Sequence, residues 1–538
     1  MANGKRNHAR QRAPRALDAA LGRRVALASV IVIGSIALSR VSGMIRLMVF
    51  AAKFGVTAET SAYNQAFQIP DMVNMLIGGG VIASAFIPYF TEKLERGEEQ
   101  AAWRTFSALF TLLSAALVGA VLVAEAAVPY IAGLFVPAKS FALPEQWLWV
   151  ELTRTMLPAQ ICFVTGGLFM GALHARGHFL APALGPIVYN LLIIAGIVAL
   201  GDRYGVRAPA WAALCGAFVG QWLLMGPVLA AKGARLSLVF DFRDEGVRRV
   251  VGFMAPVIFG LSLVHINNLV ARCLAGMVSE KAQTYFENAY RLAMLPIGMF
   301  GSGAGIAAYP SLAAATARGD AEQRARLLSA SMRQVLYLTV PSALFLAVLR
   351  EPIVAIMFER GQFTHDDTLA TAAALACFAL GVVALSVQQI VVRGFYACND
   401  PRTPVKVGVG AVALNVGLAL ALLSPLKLPG LALATSLAAV GSVLALLWLL
   451  SRKIGAFGQR EIAWAFARMV AAGALAAGAA WAALAWLREV FPSAGEVHKL
   501  LRCVLPLAIG GAAYLALCPV LGVREGGEAL RMLLRRGE

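Results

Sequence analysis

Six arginines stand out inside stretches otherwise apolar enough to cross a bilayer: Arg40, Arg46, Arg154, Arg272, Arg291 and Arg393. Inserting a guanidinium at bilayer depth costs at least about 2.5–3.5 kcal/mol. Each such group therefore needs a hydrated cavity or an anionic partner. Its planar fork of N–H donors fits a phosphate through two parallel hydrogen bonds. Arg154 and Arg393 lie near span ends and read as interface anchors that reach back to water. Arg40 and Arg46 lie mid-span, about 120° apart around a helix axis. Ser39, Ser42 and Gly43 make a small polar face beside them. Arg272 and Arg291 occupy the two spans that open the second half of the chain.

Acids at the same depth are few: Glu125, Glu151 and Glu287. Glu287 and Arg291 are spaced i,i+4 and can pair on one helix face, which is the competing use of Arg291. No acid lies within a turn of Arg40 or Arg46. The arginines are thus expected to stand without internal counter-ions and to line a cavity for a phosphate-bearing ligand. No HExxH, GxSxG, P-loop or DxD-type constellation is present, so no residues for enzymatic chemistry are visible. His265, Asn267 and Asn268 read as an interhelical hydrogen-bonding set. The seven cysteines form no CxxC pair and read as small apolar packing residues.

The elements that must position these side chains follow from composition. The chain has 538 residues, of which 59% are hydrophobic and 14% charged; its mean hydropathy is +0.72. Soluble domains carry about 25% charged residues, so the fold class is an all-α polytopic membrane protein. Disordered, collagen-like and disulfide-framework classes are excluded by the same composition. Fourteen spans are expected, near 25–52, 62–90, 105–135, 147–173, 179–201, 209–231, 247–277, 282–312, 329–349, 368–397, 403–424, 429–451, 462–487 and 500–522. Net charge is +18. Counted by side, 30 of the 47 Lys and Arg fall with the N-terminus and 11 opposite. That bias places both termini in the cytoplasm and accounts for the basic excess without nucleic acid. The basic N-terminal segment leads into a full span and does not read as a cleaved signal.

A repeat appears at an offset of 222–223 residues. Ile87-Pro88 through Arg96-Gly97-Glu98 matches Tyr309-Pro310 through Arg318-Gly319-Asp320. Pro129-Tyr130-Ile131-Ala132-Gly133-Leu134-Phe135 matches Pro352-Ile353-Val354-Ala355-Ile356-Met357-Phe358. His174-Ala175 and Pro182 match Tyr396-Ala397 and Pro404. Six helices fit in the offset, so the copies share one orientation, as in carriers built from parallel repeats. The expected division is a basic tail (1–24), an N-lobe (25–231), a C-lobe (247–451), two added helices (462–522) and a C-terminal tail (523–538). Gly78, Gly79 and Gly80 interrupt the second span, and Gly298, Gly301, Gly303 and Gly305 punctuate the eighth. Such runs serve either gating or close helix packing.

Several of these stretches resemble one family. Ser39-Arg40-Val41-Ser42-Gly43-Met44-Ile45-Arg46 is similar to the SRxxGxxR signature of the lipid II flippases (MurJ, formerly MviN). So are Ile69-Pro70-Asp71 to Ser84-Ala85-Phe86-Ile87-Pro88, and Tyr290-Arg291-Leu292 with Pro296 and Gly298. Phe358-Glu359-Arg360-Gly361-Gln362-Phe363-Thr364 and Arg393-Gly394-Phe395-Tyr396-Ala397 to Asp400-Pro401-Arg402-Thr403-Pro404 extend the likeness over roughly 30–455. The resemblance implies a multidrug/oligosaccharidyl-lipid/polysaccharide exporter fold with fourteen helices in the bacterial inner membrane. It implies transport of the undecaprenyl-diphosphate-linked peptidoglycan precursor between leaflets, with Arg40, Arg46 and Arg291 as cavity arginines. Residues 462–522 would help form a lipid-tail groove. Expected partners are the lipid-linked diphosphate, membrane lipids and cell-wall synthesis proteins. No cofactor is expected; an ion or the membrane potential would drive the cycle. Many members carry an Arg where this chain has Asn74, and acids where it has Leu47, Ser61 and Met294; Arg272 is the candidate replacement for the missing charge. The alternatives of different chemistry are a polysaccharide-repeat lipid flippase, a cation-coupled multidrug exporter on the same fold, and a scaffold for wall-synthesis proteins.

Overall fold

A computed structural model describes residues 34–35, 38–71, 79–138, 140–234, 236–398, 400–491, 495–523 and 525. Asn74 and Gly78, the basic tail and most of the C-terminal tail lie outside them. The described chain is helical, with no strand among the described residues. Its first helix, α1, covers 38–54. It is followed by α2 (Ala58–Ala66), α3 (Gly79–Glu95), α4 (Glu99–Phe135), α5 (Leu143–Met156), α6 (Ala159–Ala175) and α7 (Leu180–Tyr204). Next come α8 (Arg207–Ala217), a π-helical turn (Phe218–Leu223), α9 (Met225–Ala231), α10 (Glu245–Val278) and α11 (Ala282–Pro296). After a second π turn (Ile297–Ser302) come α12 (Gly303–Ala317), α13 (Ala321–Val348), α14 (Arg350–Phe358), α15 (His365–Ala397), α16 (Arg402–Ile454), α17 (Gln459–Val490) and α18 (Glu496–Val520).

Among the described residues, nine helical stretches are long and apolar enough to cross a membrane. In the 53-residue α16 the backbone leaves helical geometry at Lys427 (φ 50°) between Pro425 and Pro429. That break separates the expected spans 403–424 and 429–451. Proline removes a backbone donor and clashes with the preceding turn, so two prolines around one residue suffice to fold the helix back. The expected spans that carried charges or glycine clusters, 25–52, 62–90 and 282–312, are interrupted in the structure or only partly described. In the last of them the π turn Ile297–Ser302 follows Pro296 directly.

Local sequence explains several helix ends. Asp320 caps α13 by accepting from the Gln323 N–H at 2.8 Å. Thr364 and Asp367 form a reciprocal capping box at the start of α15. The repeat is visible in the backbone as well. Gly97 and Glu98 N–H donate to Leu94 and Lys93 carbonyls, and Gly319 and Asp320 N–H donate to Thr316 and Ala315. Both copies of the Arg-Gly-acid motif therefore close a helix with the same three- and five-residue hydrogen bonds.

The chain divides into two compact units that are discontinuous in sequence. The first comprises Met1–Phe50, Ala66–Ile131 and Trp147–Leu261. Its core is aromatic: Phe86, Phe90, Trp103, Phe106 and Phe169 form a chain of rings whose centroids lie 5.0–6.0 Å apart. The second comprises Ala51–Gln65, Ala132–Gln146 and Ser262–Glu538. Its core packs Met332, Val335, Leu336, Ile390 and Val391 against Leu446 and Met469. In this unit the end of α1 is clasped by the loop after α14. The Gln362 N–H donates to the Ala52 carbonyl at 2.9 Å.

Candidate functional site

In the first unit, α1 is held through its small polar face. Asn190 of α7 donates to the Ser39 carbonyl at 3.3 Å and to Ser42 Oγ at 3.1 Å. A Cβ on Gly43 would lie 3.6 Å from Asn190 Nδ2, in ordinary contact. Ser39 and Gly43 thus seat the helix that presents Arg40 and Arg46. Arg40 is exposed and Arg46 half-buried. The Arg46 guanidinium lies over the Tyr189 ring, 5.9 Å from its centroid. Among the described residues neither arginine has an ion-pair partner.

Arg46 lines a cavity of about 430 Å³ together with Asp71, Gln160, Tyr189, Asn190 and Gln221. Gln221 is carried by the first π turn. The turn can sit there because Gly185 and Gly220 let the two backbones approach: a Cβ on Gly185 would lie 3.1 Å from the Gly220 carbonyl. Gln160 is 3% exposed, and its Oε1 accepts no hydrogen bond among the described residues. The cavity therefore combines one cation, three aromatic side chains (Phe67, Phe163 and Tyr189), one carboxylate and three amides. Asp71 and Gln160 are lining residues that sequence reasoning missed. Neither lies near Arg46 in sequence, although Asp71 falls inside the expected span 62–90 and is one more acid at that depth beside Glu125, Glu151 and Glu287.

In the second unit, Arg272 and Arg291 are brought together by Glu287. Arg272 Nε lies 3.0 Å from Glu287 Oε2, and Arg272 Nη2 donates to Oε1 at 3.3 Å. Arg291 Nε donates to the same Oε1 at 2.7 Å. Exposure is 16% for Arg272, 8% for Glu287 and 30% for Arg291. This corrects the expectation that both arginines stand unpaired. The i,i+4 spacing accounts for Arg291. Arg272 is explained by the hairpin: α10 and α11 are joined by a three-residue link, and positions 272 and 287 stand nearly symmetric about it.

The other charged residues have structural partners. Arg154 donates to the Glu125 backbone carbonyl at 2.9 and 3.0 Å, not to its carboxylate. Glu151 takes a bidentate pair from Arg207 at 2.8 and 2.9 Å. Arg393 donates to the Gln389 carbonyl at 2.9 Å, and the backbone of Gly305 packs against its guanidinium. Of the glycines read as gate or packing positions, Gly301 meets Ser386 closely enough that a Cβ would lie 2.9 Å from the Ser386 Cα. Gly79 and Gly80 open α3.

The sequence model of the lipid II flippase MurJ family matches residues 50–505. The chain belongs to the lipid II flippase MurJ family. The probable lipid II flippase MurJ of Rhizobium meliloti is 29% identical over 508 residues, covering 92% of this chain and 93% of its own. The lipid II flippase MurJ of Burkholderia cenocepacia is 29% identical over 389 residues, covering 70% of this chain and 74% of its own. A solved lipid II flippase MurJ in an inward closed conformation superposes with a TM-score of 0.75 at 22% identity, covering 91% of this chain and 98% of that one. An inward-facing multidrug resistance MATE transporter of the MOP superfamily superposes at 0.61 with 15% identity, covering 80% and 99%. At these identities the two structures establish the fold alone, the all-α architecture that both share.

Two positions where the resemblance leads to the expectation of an acid are filled differently in this chain. Ser61 shares a 2.9 Å hydrogen bond with Thr284 Oγ1, and Asn64 Nδ2 donates to the same hydroxyl at 3.2 Å. A neutral pair thus fills that position. Met294 is apolar, and the carboxylate beside Arg291 comes from Glu287, one turn before Arg291 on the same helix.

Proposed function

We propose that this chain carries lipid II, the undecaprenyl-diphosphate-linked peptidoglycan precursor, from the inner to the outer leaflet of the bacterial cytoplasmic membrane. It acts as a carrier and not as an enzyme. The observation that carries the reading is the Arg46 guanidinium: half-buried, without an ion-pair partner among the described residues, and lining a cavity whose walls include amides, aromatic rings and a single carboxylate, Asp71. In a chain of this family, a diphosphate supplies the negative charge that such a group lacks. Arg40, Arg46, Arg291 and Arg272 bind the diphosphate, and Ser39 and Gly43 hold the first two in place. Asn74 adds a neutral donor where relatives carry a cation. Gly78, Gly79 and Gly80 allow the second span to bend.

The cycle follows from that arrangement. The headgroup enters from the cytoplasmic leaflet while the polyprenyl tail stays in lipid or in a groove along 462–522. Gln160, Asn190 and Gln221 offer hydrogen bonds to its polar groups. The N-lobe (25–231) and C-lobe (247–451) then rock and expose the headgroup outside, with both termini remaining cytoplasmic. An ion or the membrane potential drives the step; potential contributes about 2.3 kcal/mol per charge per 100 mV. A cation-coupled exporter would require an acid in the first helix, and 38–54 contains none.

The test is headgroup translocation by purified chain in proteoliposomes, comparing wild type with Arg40→Ala and Arg46→Ala. Loss of transport in both, at normal levels of inserted protein, is the expected result. Wild-type rates in both would remove the site.

A further inference from the structure

The second unit contains an anion that the proposed transport cycle does not use. Glu287 is almost fully buried, yet it faces two guanidiniums at ion-pair distance and bridges α10 to α11. Its Oε1 accepts from both Arg272 and Arg291. The trio carries two positive charges and one negative. Arg291 uses only Nε on the carboxylate; its terminal nitrogens make no hydrogen bond among the described residues. It is also the most exposed of the three, so an incoming anion reaches it first.

We propose that Glu287 is an internal counter-anion that competes with the diphosphate for Arg272 and Arg291, and thereby sets how tightly the substrate is held and how readily it leaves. The inference rests on the functional reading above and adds to it. A carboxylate and a phosphate oxygen present the same acceptor chemistry to a guanidinium. In the empty carrier the carboxylate satisfies the two cations, which would otherwise be costly at this depth. When the diphosphate arrives, its charge is partly cancelled by Glu287 and the complex is weaker than two free arginines would make it. In this structure the carboxylate lies within 3.3 Å of both guanidiniums, so it stands ready to reclaim them as the substrate departs. Glu287 is thus a positioning residue whose charge favours release over retention.

The charge count orders a set of variants. Removing the carboxylate with Glu287→Gln leaves two cations; Arg272→Gln leaves a neutral pair; the double variant restores one net charge. The experiment reconstitutes the full chain in nanodiscs and measures equilibrium binding of undecaprenyl diphosphate, with undecaprenol as a neutral reference. The same proteins are then assayed for translocation in proteoliposomes. The expected order of affinity is Glu287→Gln tightest, by about tenfold over wild type, the double variant near wild type, and Arg272→Gln weakest. Glu287→Gln is expected to turn over more slowly despite binding more tightly, a split that mere loss of structure does not produce. Glu287→Asp, which keeps the charge, should bind within about threefold of wild type. Weaker or unchanged binding in Glu287→Gln, with Glu287→Asp folded and wild-type-like, overturns the proposal. If Glu287→Gln does not insert, the comparison of Arg272→Gln with the double variant decides: equal affinities overturn it. Failure of the wild type to prefer the diphosphate over undecaprenol would instead overturn the functional reading.

Discussion

Gly361 is the position where a single methyl group has the most to disturb. It lies in the loop between α14 and α15 with φ +59°. A Cβ there would lie 2.9 Å from the Ala52 carbonyl carbon and 3.2 Å from its Cα, both rigid backbone atoms. Gly361→Ala therefore meets two costs. Left-handed backbone costs a non-glycine residue about 1–2 kcal/mol. Opening the clasp adds about 1 kcal/mol for the Gln362–Ala52 hydrogen bond. Gly319 is the natural control, because it has φ +69° and no atom within 4 Å of its hypothetical Cβ. Gly319→Ala should show the backbone cost alone. Thermal unfolding of both variants in detergent, read by intrinsic fluorescence, separates the terms. Gly361→Ala should unfold at a temperature several degrees lower than Gly319→Ala, at about 2–4 °C per kcal/mol. Equal midpoints would refute the argument that this loop clasps the end of the helix bearing Arg40 and Arg46.

Other substitutions bear on the site and on the pH response. Arg46→Lys keeps the charge but loses the fork, so binding of a diphosphate lipid should weaken about tenfold, and Arg46→Ala about a hundredfold; equal losses, measured by nanodisc titration, would mean the fork is unimportant. Asn190→Ala removes two hydrogen bonds to α1 and should lower stability in chemical denaturation by about 0.6–1.7 kcal/mol. Asp400 lies in the loop before α16. The hydrogen bond from Lys453 leads the causes that hold its carboxyl down to about 2, against an ordinary 3.8, with Thr403 assisting. Because the folded value is depressed, its stabilisation is present above about pH 4 and is lost as pH falls through about 2. The gap in thermal midpoint between wild type and Asp400→Asn should therefore close from pH 5 to pH 2.

Much of the fold was legible because a spanning helix needs only sustained apolarity, and runs such as 368–397 and 429–451 supply it without interruption. The break in α16 was legible too, since proline acts through its own ring and needs no tertiary partner; Pro425 and Pro429 flank it. The stretches around Gly79 and Pro296 were harder. After Pro296, the π turn and the close approach of Gly301 to Ser386 depend on a neighbouring helix that one sequence does not order. The arginines were legible by type, because a guanidinium in an apolar run stands out. Their partners were not equally so. Glu287 with Arg291 follows from i,i+4 spacing, whereas Glu287 with Arg272 requires folding α10 against α11 about their short link. Asp71 and Gln160 meet Arg46 only through tertiary packing, and no local spacing announces them.

Which lipid the arginine cavity moves decides the functional assignment. The direct measurement is translocation by the reconstituted wild-type chain of an undecaprenyl-diphosphate-linked headgroup, its monophosphate counterpart and a cationic drug, in the same vesicles. Fast movement of the diphosphate, slower movement of the monophosphate and none of the drug is the predicted result. Transport of the drug in preference to the diphosphate would contradict it.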